Sequence, residues 1–285
     1  MEAIDLAPTN RTAPTFGKNA LDLLPKLLLP CYALGLAIAF VLLPALPQTP
    51  DYHRFVDDRS WFGISNFSDV ASNLAILLPA LLGLALVNHA ASRGHMFRTA
   101  CERTLATTCF AALVLTAIGS TWYHLAPDNT RLFWDRLPLG LAFTALPALL
   151  IAERISLDRA GRLMLFLWVL TGPATVLWWQ FGEVTGRGDL RPYFMLHAFM
   201  FVLPPALLAM RTPYTGRQFY AIAYLLFVLA MAGDRLDHAV FECTHGLVSG
   251  HTMKHLLMGL AIGMLAYMFA TRRHRQEFPL PDPRA

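Results

Sequence analysis

Charge is scarce in this chain. Only 15% of its 285 residues are Asp, Glu, Lys or Arg, against 55% hydrophobic residues, and the mean hydropathy is +0.45. A soluble domain of this length carries far more surface charge. A long polar break is also missing: apolar runs follow one another from residue 27 to residue 270. Together these absences exclude a water-soluble globule and predict an all-α integral membrane protein with one membrane domain. Paired cysteines are lacking as well, since Cys31, Cys101, Cys109 and Cys243 show no C-x-x-C spacing. That excludes a thiolate zinc knuckle or a disulfide framework, and most of the four read as buried small apolar residues. No apolar stretch precedes residue 27, so no short cleavable signal is expected and the first run reads as a retained anchor.

The runs fall at roughly 27–47, 70–88, 105–123, 137–152, 162–181, 192–210, 217–233 and 251–270. Each is close to the ~20 residues that carry a helix across ~30 Å of hydrocarbon, which predicts about eight transmembrane helices. Residues 1–26, with Pro8, Arg11, Pro14 and Lys18, form a polar N-terminal tail; residues 271–285 are charged and proline-rich and read as a disordered tail. An even number of spans puts both termini on one side. Loops on that side carry Arg93, Arg98, Arg103, Arg154, Arg159, Arg162, Arg211 and Arg217, and the tails add more, whereas the opposite loops carry fewer cations. The positive-inside rule then makes both tails cytoplasmic. The sequence pI near 9.0 is explained by this belt, and no nucleic-acid partner is expected. No inverted repeat of the transporter kind is visible.

What polar chemistry there is collects at the ends of runs. His251 and His255 stand four residues apart at the head of the last one. His124 ends the third, Ser120 lies one turn before it, and Asp135 opens the fourth beyond a short turn. Residues four apart share a helix face, and in the orientation above all five reach the extracytoplasmic side. An i, i+4 pair of imidazoles suits tetrahedral zinc; the plainer alternative is a pair of core histidines bonded to carbonyls or facing headgroups. Adding His124 and Asp135 favours a metal site between helices. Asp135 can serve as general base, or form a salt bridge with Arg131 or Arg136, or simply favour a helix N-terminus. The Ser120 hydroxyl can donate to an oxyanion, or merely ease packing. Lys254, between the two histidines, would repel a cation or snorkel out to lipid phosphates.

Other polar groups have plainer explanations. Asp51, Asp57, Asp58 and Asp69, with Asn66 and Asn73, are oxygen-rich enough to hold Ca²⁺, but no EF-hand spacing is present and they read as solvated loop acids. Asp234, Asp237, His238, Glu242 and His245 cluster before the last helix, with Asp234 and Arg235 placed to form a buried pair. Trp178 and Trp179 read as an interfacial belt. Haem ligation by the histidine pair is disfavoured, because both rings come from one helix.

The stretches FSDVASNL (67–74), GSTWYHLAPDNTRLFWDRLPLG (119–140) and HTMKHLLMGL (251–260) resemble the alkaline ceramidase family. That family belongs to the CREST superfamily of membrane hydrolases, together with the progestin and adipoQ receptors. Its pattern is a serine and a histidine on one helix, an aspartate opening the next and H-x-x-x-H on the last, which falls here on Ser120, His124, Asp135, His251 and His255. The resemblance implies a seven-helix core over residues 70–270, with the helix near 27–47 added before it. It also implies Zn²⁺ held by His124, His251 and His255, Asp135 activating water against an amide, and Ser120 steadying the oxyanion. Two departures stand out. Asn66 replaces a glutamate of the family's calcium-holding stretch, which leaves Ca²⁺ open, and Thr252, Met253 and Lys254 stand where the family has aromatics, which leaves the acyl-chain preference open. The expectation is a zinc-dependent intramembrane hydrolase cleaving a ceramide-like membrane lipid to a sphingoid base and a fatty acid, its site toward the extracytoplasmic side. The alternative is a metal-containing, lipid-sensing, receptor-like membrane protein without hydrolase activity.

Overall fold

A computed structural model describes residues 22–89 and 96–275. Most of the N-terminal tail, Arg93 of the arginine belt and residues 276–285 of the C-terminal tail lie outside that range. Among the described residues the regular structure is helical and no strand forms, apart from two isolated bridges, Trp61 to Ile64 and Tyr214 to His274. Seven helices are long and apolar enough to cross a membrane: α1 (Leu24–Leu42), α2 (Phe67–His89), α3 (Ala100–Leu125), α4 (Asn129–Ala152), α5 (Arg159–Val184), α6 (Arg191–Ala209) and, last in the chain, α9 (Gly250–Thr271). An eighth span arises if α7 (Arg217–Arg235) and the short α8 (Asp237–Cys243) are taken together, although they meet at a bend of 88°.

Polar residues set the helix starts. Thr99, Asp128, Asp158 and Ser249 each accept a hydrogen bond from a backbone N–H two or three residues into the helix that follows, satisfying a donor that has no partner within the helix. The Asp128 cap starts α4 well before the apolar run at 137. Asp135 therefore sits in the second turn of α4 and does not open it, as the run had suggested. At the other extreme, the first run reaches residue 47 but α1 stops at Leu42. Pro44 follows Leu43, whose φ of −115° and ψ of 143° are extended, the conformation a following proline imposes.

The spanning helices close into a ring. α9 packs between α2 and α7, α2 leads to α3, α3 to α4, α4 touches both α5 and α6, and α6 returns to α7. α1 lies outside on α5 and α6. The middle of the ring is apolar, and a narrow apolar crevice of about 70 Å³ lies there, its wall including Leu113 of α3, Phe143 of α4, Met200 of α6, Phe227 of α7 and Met258 of α9. Buried polar side chains gather at the two ends.

One end is rich in arginine. Arg272, just past α9, is 4% exposed. Its Nη1 donates to Glu153 Oε1 at 2.5 Å, and its Nε and Nη2 donate to the Met96 carbonyl. Glu153 also accepts from the Tyr220 hydroxyl and from Arg154, and the Tyr214 hydroxyl donates to Glu102. The C-terminal tail, expected to be disordered from its start, is thus held through residue 275, where the Arg275 N–H donates to the Pro213 carbonyl. Of the cysteines, only Cys109 is buried; Cys31 and Cys243 are exposed, and all four are free. The expectation of burial fails because Cys31 lies on the lipid-facing side of the outlying α1 and Cys243 at the end of the short α8.

Candidate metal centre

The other end of the ring holds the histidines. His124 lies in the last turn of α3, and His251 and His255 lie on one face of the first turns of α9. One ring nitrogen from each falls within 4.8 Å of the others, and all three residues are buried. His124 Nε2 and His251 Nε2 are 3.1 Å apart.

Neighbouring groups fix two of the three tautomers. The Ser72 hydroxyl donates to the Asp69 carbonyl, so at 2.8 Å from His255 Nδ1 it accepts that ring's proton. His251 Nδ1 donates to the Asp234 carboxylate at 2.8 Å. Both rings then present an unprotonated Nε2 to the centre. This is the arrangement of metal-bound histidines, whose second nitrogen is held by a carboxylate or another acceptor. His124 Nδ1 is buried with no hydrogen-bond partner. Zn–N bonds of about 2.0–2.1 Å place tetrahedral ligand nitrogens roughly 3.3 Å apart, so the donor set fits a zinc ion after a small closure of the third ring.

Ser120 and Asp135 stand beside this cluster. Gly119 is in close contact with the backbone of Trp134 and Asp135, and a Cβ there would overlap the Trp134 carbonyl. That contact lets α3 and α4 approach and places Ser120 beside the Asp135 carboxylate. The salt bridges considered for Asp135 do not form. Arg131 pairs with Asp128, and Arg136 turns away into a group of aromatic rings.

The 43–66 loop covers the site. The Phe55 ring centre lies 4.7 Å from that of His124 and 4.9 Å from that of His251. His53 Nε2 donates to Asn129 Oδ1, so its Nδ1 accepts from the Tyr123 hydroxyl, each at 3.0 Å. Further along, Arg59 makes two 2.6 Å bonds to buried Asp57 and reaches the Leu247 carbonyl. Burial alone would push the Asp57 carboxyl up, but hydrogen bonds from Arg59 and Ser68 outweigh it and hold the group below the usual carboxylate range.

Several expectations need correction. Lys254 does not snorkel; its Nζ lies 3.0 Å from Asp234 Oδ1, which gives the buried ammonium a counter-charge. Asp234 therefore pairs with Lys254 and His251 and not with Arg235, which is exposed. Among the supposed loop acids, Asp51 and Asp58 are exposed, whereas Asp57 and Asp69 are buried. Asp69 belongs to the first turn of α2 and accepts from the Thr252 hydroxyl at 2.6 Å. Asn66 is no substitute acid: its amide donates to the His124 carbonyl at 2.8 Å, a bond that a carboxylate could not make. Trp178 is exposed as a belt residue would be, but Trp179 is fully buried and donates to Glu183. Ser72 was not singled out, although Asp69, Ser72 and Asn73 at i, i+3, i+4 mark a polar stripe on an apolar helix.

No protein-family model matches this chain, and no curated protein matches it.

Proposed function

We propose that this protein is a zinc-dependent intramembrane hydrolase that cleaves the amide of a ceramide-like lipid to a sphingoid base and a fatty acid. The convergence of His124, His251 and His255, with Ser120 and Asp135 at its edge, carries the proposal. The resemblance to alkaline ceramidases points the same way. A zinc ion on three imidazoles with a fourth position open would supply Lewis acidity, acidifying water to a pKa of about 7 and polarising a carbonyl. The protein's own groups do the rest. Asp135 takes a proton from water and returns it to the leaving amine. Ser120, resting against Asp135, turns its hydroxyl to the developing oxyanion. Asp234 and Ser72 keep the imidazoles in their ligating tautomers. Phe55 excludes bulk water above the rings, which strengthens every charge interaction beneath.

A lipid substrate is supported by the apolar crevice, whose α9 wall begins at Met258, one turn beyond His255. Both tails are assigned to the cytoplasm by the arginine distribution, which puts the histidine end at the extracytoplasmic headgroups. The test is metal analysis of detergent-purified protein together with release of fatty acid from a long-chain ceramide. One zinc per chain with fatty-acid release is expected. Zinc without release from any lipid amide would favour the receptor-like alternative, and absence of zinc binding would overturn both.

A further inference from the structure

Arg136 follows Asp135 on α4, and the ~100° between successive helical residues sends its side chain away from the histidines toward α5 and α6. It is 4% exposed. Its Cζ lies 4.7 Å from the Trp179 ring centre, 4.9 Å from Tyr52 and 5.4 Å from Tyr193. The Tyr52 hydroxyl and the neighbouring Asp135 carboxylate both act on it electrostatically. No carboxylate among the described residues is ion-paired with it, and its Nη1 is buried with no partner at all. The other buried guanidinium groups are treated differently, for Arg154 and Arg272 both pair with Glu153. Ring contacts offset only part of the cost of burying a cation. The member of this aromatic group that meets solvent is Tyr52, which is 43% exposed and sits in the short 3-10 turn Pro50–His53 of the covering loop. Lys254 faces the same region and is electrostatically coupled to Tyr52 and Asp135, but Asp234 already neutralises it.

We propose that Arg136 is the seat of an anionic group on the ligand. Resting on the hydrolase assignment above, ceramide-like N-acyl lipids that carry a carboxylate or a phosphate on the amine side are cleaved in preference to the neutral diol of ceramide itself. The amide lies at the histidines and the acyl chain in the apolar crevice, so the amine side is left at the end of the bundle where Arg136 waits. Tyr52 swings aside as the anion enters. The planar guanidinium then offers Nη1 and a neighbouring N–H to two oxygens at once, a match that an ammonium or a neutral donor does not make.

The test uses the full-length protein and three lipids that differ only in headgroup: N-oleoylglycine, N-oleoylethanolamine phosphate and neutral N-oleoylethanolamine. The wild type is expected to show a kcat/KM at least tenfold higher for one of the anionic pair, expressed in KM, and the better of the two names the anion. Arg136→Met should erase that preference, and Arg136→Lys should keep part of it. Dissociation constants from tryptophan fluorescence are measured alongside, so a protein that cleaves none of the three, which would sink the hydrolase assignment, still reports whether the anion is preferred. Equal or tighter binding of the neutral lipid by the wild type overturns the proposal. So does an anionic preference that survives in Arg136→Met. If the methionine variant does not fold, the wild-type comparison and the lysine variant decide.

Discussion

The two ends of the bundle face the same difficulty and solve it in opposite ways. Both bury charged and polar side chains at the margins of an apolar interior, where each unpaired ion is costly. At the arginine end the groups answer one another: Glu153 takes Arg272, Arg154 and Tyr220, and Glu102 takes Tyr214. Single guanidinium nitrogens of Arg98 and Arg154 are left over. At the histidine end, capacity is left unused on His124 Nδ1, Asp69 Oδ2, Asn73 Oδ1 and Arg136 Nη1, and the imidazoles of His251 and His255 turn unprotonated nitrogens toward one point. A closed set of partners fastens helices. An open set is what a site needs.

Four substitutions break or sharpen this contrast. His255→Ala should abolish both zinc binding and lipid-amide cleavage, read by metal analysis and fatty-acid release; hydrolysis without that imidazole would refute the ligand assignment. Arg272→Met should strike the opposite way. Leaving Glu153 buried beside a weaker set of partners should lower stability by about 3–5 kcal/mol while each folded molecule still binds one zinc. Loss of zinc from molecules that remain folded would show that the two ends are not separable. Ser120→Ala should retain zinc and slow turnover by roughly 10²–10³-fold, and a rate near the parent's would return Ser120 to a packing role.

The smallest effect concerns the covering loop and depends on pH. Asp57 has a folded pKa below its unfolded value of about 3.9, so the Asp57–Arg59 clamp contributes fully above that value. The contribution is lost as pH falls through the lower, folded pKa. Limited proteolysis between Val56 and Asn66 should therefore accelerate only in acid. Asp57→Asn should cleave quickly at every pH; a variant with the parent's acid profile would assign the pH response to another group.

Legibility in the sequence was uneven for physical reasons. The spans were readable because the bilayer imposes a length of apolar residues that no other constraint mimics. The start of α4 was misjudged because its first two turns, Asn129 to Arg136, mix polar and aromatic residues and are set by the Asp128 cap. The histidines were visible because i, i+4 spacing places two rings together by local geometry alone. The direction of Lys254 depends on Asp234, which α7 brings to it by packing against α9. Ser72, Asn66 and Phe55 act on histidines that lie far from them in the chain, so nothing local announces their roles.

By itself, the amino-acid order determined that this is a helical membrane protein with two imidazoles on one turn of its last helix, because hydropathy and helical periodicity act over short stretches of chain. Only tertiary structure decided that His124 meets that pair, that Arg136 is buried with no ion-paired carboxylate among the described residues, and that Asp57 and Asp69 leave solvent. Those outcomes depend on how closely separate helices approach, and that distance is fixed by contacts such as Gly119 against Trp134, which packing creates and sequence spacing does not contain.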